Sequence, residues 1–282
     1  MVSSLNNFIL DYEPFIRISF FLSILVLVAI WELLAPRRPL ATSKRIRWYS
    51  NLSLVFIDTL TVRLLLPVQA VGVALSMGKY DWGILNNVML PNWMGIAFGI
   101  LGLDLIIYLQ HAMFHAIPAF WRLHRVHHTD LDFDVTTGVR FHPIEILLSM
   151  GVKMAAVVVL GVSAIAVILF EVLLNATSMF NHGNIRLPGR IDRVLRLLVV
   201  TPEMHRVHHS VVIKEHNSNF GFNFPWWDRL MGTYQAQPAR GHEGMIIGLS
   251  QFRNPTRLTL PGLLILPFFE TGKYPFNHRS EK

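Results

Sequence analysis

Apolar residues run almost unbroken from Phe15 to Leu34, long enough to cross a bilayer as one helix, which takes about 20 residues. Arg17 and Glu32 stand near its two ends, where charged side chains can reach headgroups. The stretch before it carries Asp11 and Glu13 and no basic residue, and no small-residue cleavage site follows. A retained spanning helix is therefore expected rather than a cleaved signal. A second apolar run, Leu52 to Met77, contains Asp58 and Arg63, so part of it is expected to face protein or headgroups. A third covers Trp93 to about Gln110, with Gly95, Gly99 and Gly102 at the spacing of close helix packing.

A longer run, Ile144 to Phe180, exceeds one perpendicular span. Gly161 near its middle predicts a helical hairpin, with Lys153 reaching an interface or a buried partner. The last apolar piece, Leu258 to Phe269, holds Pro261 and Pro267. It is too short to span and reads as interfacial or re-entrant. Two stretches break the pattern: His111 to Pro143 and Asn181 to Pro255 are polar and hold 12 of the 13 histidines.

Charge orients these pieces. Arg37, Arg38, Lys44, Arg45 and Arg47 follow the first span, which predicts a cytoplasmic position, while the loop 78–92 has one Lys and no Arg. Both histidine-rich stretches then fall on the cytoplasmic side. Composition agrees with membrane residence: 52% of residues are hydrophobic and 15% charged, against about 25% charged in soluble domains. The net charge of +7 is explained by anionic lipid and the positive-inside rule, without nucleic acid. With no cysteine, disulfides, thiolate iron–sulfur sites, zinc ribbons and cysteine nucleophiles are excluded. The expected architecture is all-α: a membrane helical bundle of about four to five segments with a cytosolic helical cap.

The histidines form a pattern. His111 and His115 make an HxxxH pair, and His124, His127 and His128 make HxxHH, which His205, His208 and His209 repeat. Residues three and four apart share one helical face, so each set can converge on a metal. Thr201 and Pro202 supply a helix start before the second triplet. His182 stands alone in Asn181-His182-Gly183-Asn184. Eight paired or tripled imidazoles plus His182 exceed the four ligands of a structural zinc site and suggest two metals. Ala112 after His111 removes the HExxH general base, and a haem pair would need only two axial histidines. Non-haem di-iron oxygen chemistry fits best.

The motifs HAMFH (111–115), HRVHH (124–128), NHGN (181–184) and HRVHH (205–209) resemble the fatty acid hydroxylase/sterol desaturase family of membrane-bound di-iron enzymes. So do Trp121-Arg122-Leu123-His124, Arg140-Phe141-His142-Pro143, Asn219-Phe220-Gly221 and the run Trp227 to Thr233. The resemblance divides the chain into membrane helices at 1–93, a catalytic region at 94–234 and a cytosolic or interfacial tail at 235–282. It implies two irons held by the nine clustered histidines, O₂ as co-substrate, and an apolar lipid that is hydroxylated or desaturated. Some family members carry a third HxxxH ending where His182 stands, but the residue four before it is Ser178. His142 is the candidate to fill that slot, with a water as the alternative. Asp228, Asn181 and Asn184 are candidates to orient ligands.

Electrons are expected from a separate reductase or small carrier, since no GxGxxG follows a strand and no haem-binding electron-transfer domain is appended. The host membrane would be the inner membrane of a bacterium or the endoplasmic reticulum of a eukaryote. A divalent-metal transporter is the alternative, though it would place ligands near mid-membrane. Trp226 and Trp227 read as interfacial anchors, and His216, His242 and His278 as surface residues.

Overall fold

The computed structural model describes residues 2–269. Among these the chain is helical, with no strand beyond isolated bridges. A short helix α1 (Val2–Asp11) leads into α2 (Glu13–Leu34), followed by α3 (Lys44–Leu65) and α4 (Ala70–Lys79). Then come α5 (Asn92–Ala116) and α6 (Pro118–His128), and the pair α7 (Pro143–Leu160) and α8 (Ala164–Asn181). Five helical stretches are long and apolar enough to cross a membrane: α2, the 36-residue stretch Lys44–Lys79 made of α3 and α4, α5, α7 and α8.

Local chemistry sets the breaks. Pro67 lies between α3 and α4, where a missing N–H cannot continue the ladder. The hairpin predicted at Gly161 is present: this residue closes α7 at φ +68°, a left-handed conformation that costs glycine little. Gly83, at φ +101°, packs against it so closely that a Cβ would come within 2.3 Å of the Gly161 backbone. Ser163 then caps α8 by accepting from the Ala166 amide.

In the bundle α8 packs against α2, α4 and α5. An apolar core of Leu103, Ile107, Val157, Ala166, Val167 and Phe170 fills the space between the spans. Of the three spaced glycines, Gly99 meets Val162 and Ala166 and Gly102 meets Leu160, whereas Gly95 faces open space.

Several charges in or beside the spans are held by specific partners, and of these Glu32 and Arg47 are buried. Glu32 accepts from the amides of Val135 and Asn184 rather than snorkelling. Arg17 pairs with Glu13 and with Glu171, and Lys153 Nζ reaches Glu171 at 2.6 Å. Arg47 lies inside the cap, 2.6 Å from both Asp130 and Asp134. Pairing avoids the cost of an unpaired buried charge, and the contacts of Glu32, Glu171 and Arg47 also tie distant segments together.

The cap is built from α6 and from short helices: α9 (Gly189–Leu195), α10 (Pro202–His208), α11 (Ile213–His216), α12 (Trp226–Leu230) and α13 (Gly241–Gly244). A last short helix, α14 (Leu260–Ile265), returns to α3. Its Leu263 joins Leu54, Val126, Leu258 and Leu266 in a small core. Within the described part of the tail, Met245 and Ile247 cluster with Phe133 of the cap.

Candidate metal centre

His111 and His115 lie one turn apart at the cap end of α5, and Pro118 starts α6 directly after it. The first triplet ends α6, and the second ends α10 with His209 as its C-cap; α10 starts as expected, Thr201 accepting from the Met204 amide and Pro202 taking the first turn. His182 closes α8.

These nine side chains converge in two groups. His111, His115, His124, His128 and His208 form one, and His127, His182, His205 and His209 form the other, with candidate ligand atoms within 4.8 Å of one another in each. The triplets exchange roles. In the first, the outer two histidines enter the five-membered group and the middle one crosses over. In the second, the outer two enter the four-membered group and His208 crosses. None of the nine is more than 3% exposed.

Hydrogen bonding fixes which nitrogen is free. The Nδ1–H groups of His111, His124, His208 and His182 donate to Phe220 O, Glu145 Oε1, Ser218 O and Ser178 O, at 2.6 to 2.7 Å. His115 Nδ1 stands 3.3 Å from Asn217 Oδ1. Each Nε2 is then a lone pair aimed inward. His182 Nε2 has three other Nε2 atoms, of His127, His205 and His209, at 3.1 Å. One lone pair cannot accept from three neighbours at once, so these four nitrogens cannot all satisfy one another. A cation on each cluster satisfies the set, so the donors fit metal binding, and imidazole suits iron among other transition metals.

Burial, and then neighbouring histidines, hold His127, His128, His205 and His209 well below the ordinary imidazole range. His182, buried likewise, is pushed down to about 3. Neutral imidazole is the ligating form.

His142 lies outside both groups. Its Nδ1 accepts from the Ile144 amide and its Nε2 donates to Leu264 O, so it caps α7 and ties down α14. Ser178, at the position of the absent third motif, donates to Gly138 O, and its carbonyl orients His182. A Cβ on Gly138 would come within 2.5 Å of that carbonyl.

Asp228 does not touch a histidine. It accepts from the amides of Phe220 and Gly221 and so holds the peptide whose carbonyl orients His111. Asn181 reaches Phe222 O. Asn184 exchanges bonds with the Arg38 backbone and serves the chain before α3 rather than His182.

Two important residues escaped the sequence reading. Glu145 was not singled out, although it stands three residues after His142; it is the carboxylate partner of His124. His216, expected at the surface, is 2% exposed, with its ring centroid 4.3 Å from that of His128 and 4.7 Å from that of His115. Four-residue α11 was too short to leave a periodic signal. His242 is also buried, 3.0 Å from Glu203, and His278 lies outside the described residues.

A fatty acid hydroxylase family profile matches residues 96–233. The chain is 28% identical over 149 residues to an ornithine lipid hydroxylase of Rhizobium tropici, covering 52% of this chain and 44% of that one. It is 26% identical over 155 residues to human alkylglycerol monooxygenase (53% and 32%), and 27% identical over 150 residues to human cholesterol 25-hydroxylase (51% and 53%). The matches thus span about half or less of each relative. No solved structure matches. Residues 96–233, which contain all nine converging histidines, are thus the part of the chain that matches the fatty acid hydroxylase family.

Proposed function

We propose that this protein is an O₂-dependent oxidoreductase that hydroxylates an apolar lipid, using two iron ions held by the two histidine groups. The observation that carries this reading is where the bundle's apolar core meets the histidines. Phe222 belongs to that core, and its ring centroid lies 4.9 Å from that of His111 and 5.9 Å from that of His205, one from each group. Phe141 packs against the same core, stacked 4.7 Å from His127 and 6.3 Å from His124, again one from each. A hydrocarbon chain that displaces these rings from the membrane side would present its C–H bonds between the two groups.

When bound, a pair of irons supplies O₂ activation and the oxidation of an unactivated C–H bond. The chain's own residues supply the rest. Glu145, Asn217 and the carbonyls of Ser178, Ser218 and Phe220 fix the imidazole tautomers, and burial keeps bulk water out. The names of the relatives favour oxygen insertion over desaturation, and the lipids in those names (an ornithine lipid, an alkylglycerol, cholesterol) support a lipid substrate here. Electrons would come from a separate donor at the cytoplasmic face, where the positive-inside pattern puts the cap.

Purified protein should hold two irons per chain. Lipids from cells expressing it should contain a species gaining one oxygen atom that is absent when His124 and His205 are both replaced by Ala. A stoichiometry of one metal in active protein would overturn the di-iron reading. A loss of two hydrogens would replace hydroxylation with desaturation.

A further inference from the structure

The polar segment carrying the second triplet also presents an apolar surface that the site does not use. On α9 and the residues after it, Ile191, Val194, Leu197 and Leu198 are 50%, 62%, 55% and 59% exposed. Ile191 and Val194, three apart, share one face of α9, and Leu197 and Leu198 follow in the turn that ends it. The neighbouring α12 adds Trp226 at 39%, Leu230 at 72% and Met231 at 49%. The two elements are joined, since Trp226 Nε1 donates to Leu197 O and Arg229 donates to Arg196 O.

Contiguous exposed apolar surface on a folded domain marks an interaction site, and two observations identify the occupant. The first is depth. Trp227 Nε1 donates to Asp104 Oδ2 at 2.7 Å, and Tyr108 OH lies 2.9 Å from Thr233 Oγ1, both contacts being with the spanning helix α5. Asp104 is seven residues before His111, or about 10 Å along the helix axis at 1.5 Å per residue. α12 therefore lies alongside the span rather than beyond its end, and the patch continues the bundle's lipid-facing surface. The second is charge. Arg190, Arg193 and Arg229 are exposed beside the apolar residues, whereas Asp192 is buried and paired with Arg196. An apolar stripe edged by arginines is the pattern of a helix lying in an anionic headgroup layer.

We propose that the face formed by α9 and α12 is embedded in the lipid leaflet on the cap side, so that the cap is seated in the bilayer along this edge. The proposal does not depend on the reaction catalysed.

The chain has no cysteine, so single cysteines can be spin-labelled without background. Labels at Ile191→Cys, Val194→Cys and Leu198→Cys would be compared with Arg190→Cys, Arg193→Cys and Lys214→Cys. The protein would be placed in vesicles of phosphatidylethanolamine and phosphatidylglycerol. Collision with O₂ should exceed collision with a water-soluble nickel chelate at the first three positions, by severalfold relative to the last three, which should show the reverse. Equal nickel access at all six would overturn the proposal. So would dipolar broadening between labels on different molecules, which would make the face a contact between two copies. Far-ultraviolet circular dichroism and metal content matching the unlabelled protein establish that each variant is folded.

Discussion

Glu145 Oε1 lies 2.6 Å from Nδ1 of His124, with both side chains buried and the two residues on different helices. A carboxylate in this position fixes the ring's orientation and tautomer and raises its basicity toward a metal. Glu145→Ala should lower metal affinity of the five-histidine group about 10- to 100-fold, leaving the four-histidine group loaded. Metal analysis after dialysis against a weak chelator should then approach one ion per chain. Retention of both ions would show that Glu145 does not position His124.

His142 predicts a different outcome. With both ring nitrogens engaged by backbone, His142→Ala should leave metal content unchanged. Loss of the cap and of the link to Leu264 should cost about 1 to 2 kcal/mol in stability. Thermal unfolding in detergent reads the cost. Metal loss equal to that of His127→Ala would make His142 a ligand after all.

His216→Ala would remove a ring packed on His115, His128 and Trp121. Partial collapse of that space should loosen the five-histidine group, so metal retention there should fall more than in the four-histidine group, while His216→Phe should restore part of it by refilling the volume. Site-resolved Mössbauer spectra of iron-loaded protein would separate the two groups. Equal loss at both would point to a general folding defect.

Acid should destabilise the metal-free protein in a defined window. His182 and His216 are each pushed down by burial to about 3, against an unfolded value of about 6.5. Between these values the unfolded chain binds protons that the folded chain does not. Stability is therefore full above pH about 6.5 and falls as pH drops toward 3, by about 1.4 kcal/mol per pH unit for each group. Denaturant unfolding at a series of pH values tests this. A stability independent of pH between 7 and 4.5 would contradict it.

The spans, the hairpin at Gly161, the Thr201 cap and the nine histidines were legible in the sequence, because each is a local pattern. Apolar runs, a glycine with left-handed backbone, a hydroxyl before a proline and i, i+3, i+4 spacing act within a turn or two of helix. The division of those histidines into five and four was not. His127 and His208 cross to the other group because α6 and α10 present the triplets in opposite senses, which is a fact about how two helices face each other. Nor could sequence show that Glu145 serves His124, that Asp228 acts through the Phe220 peptide, or that His216 is buried. These pairings join residues 8 to 109 positions apart. Arg47 shows the same division. Its charge gave an expectation about membrane side, but its buried pairing with Asp130 and Asp134 exists only once the cap folds over the end of α3.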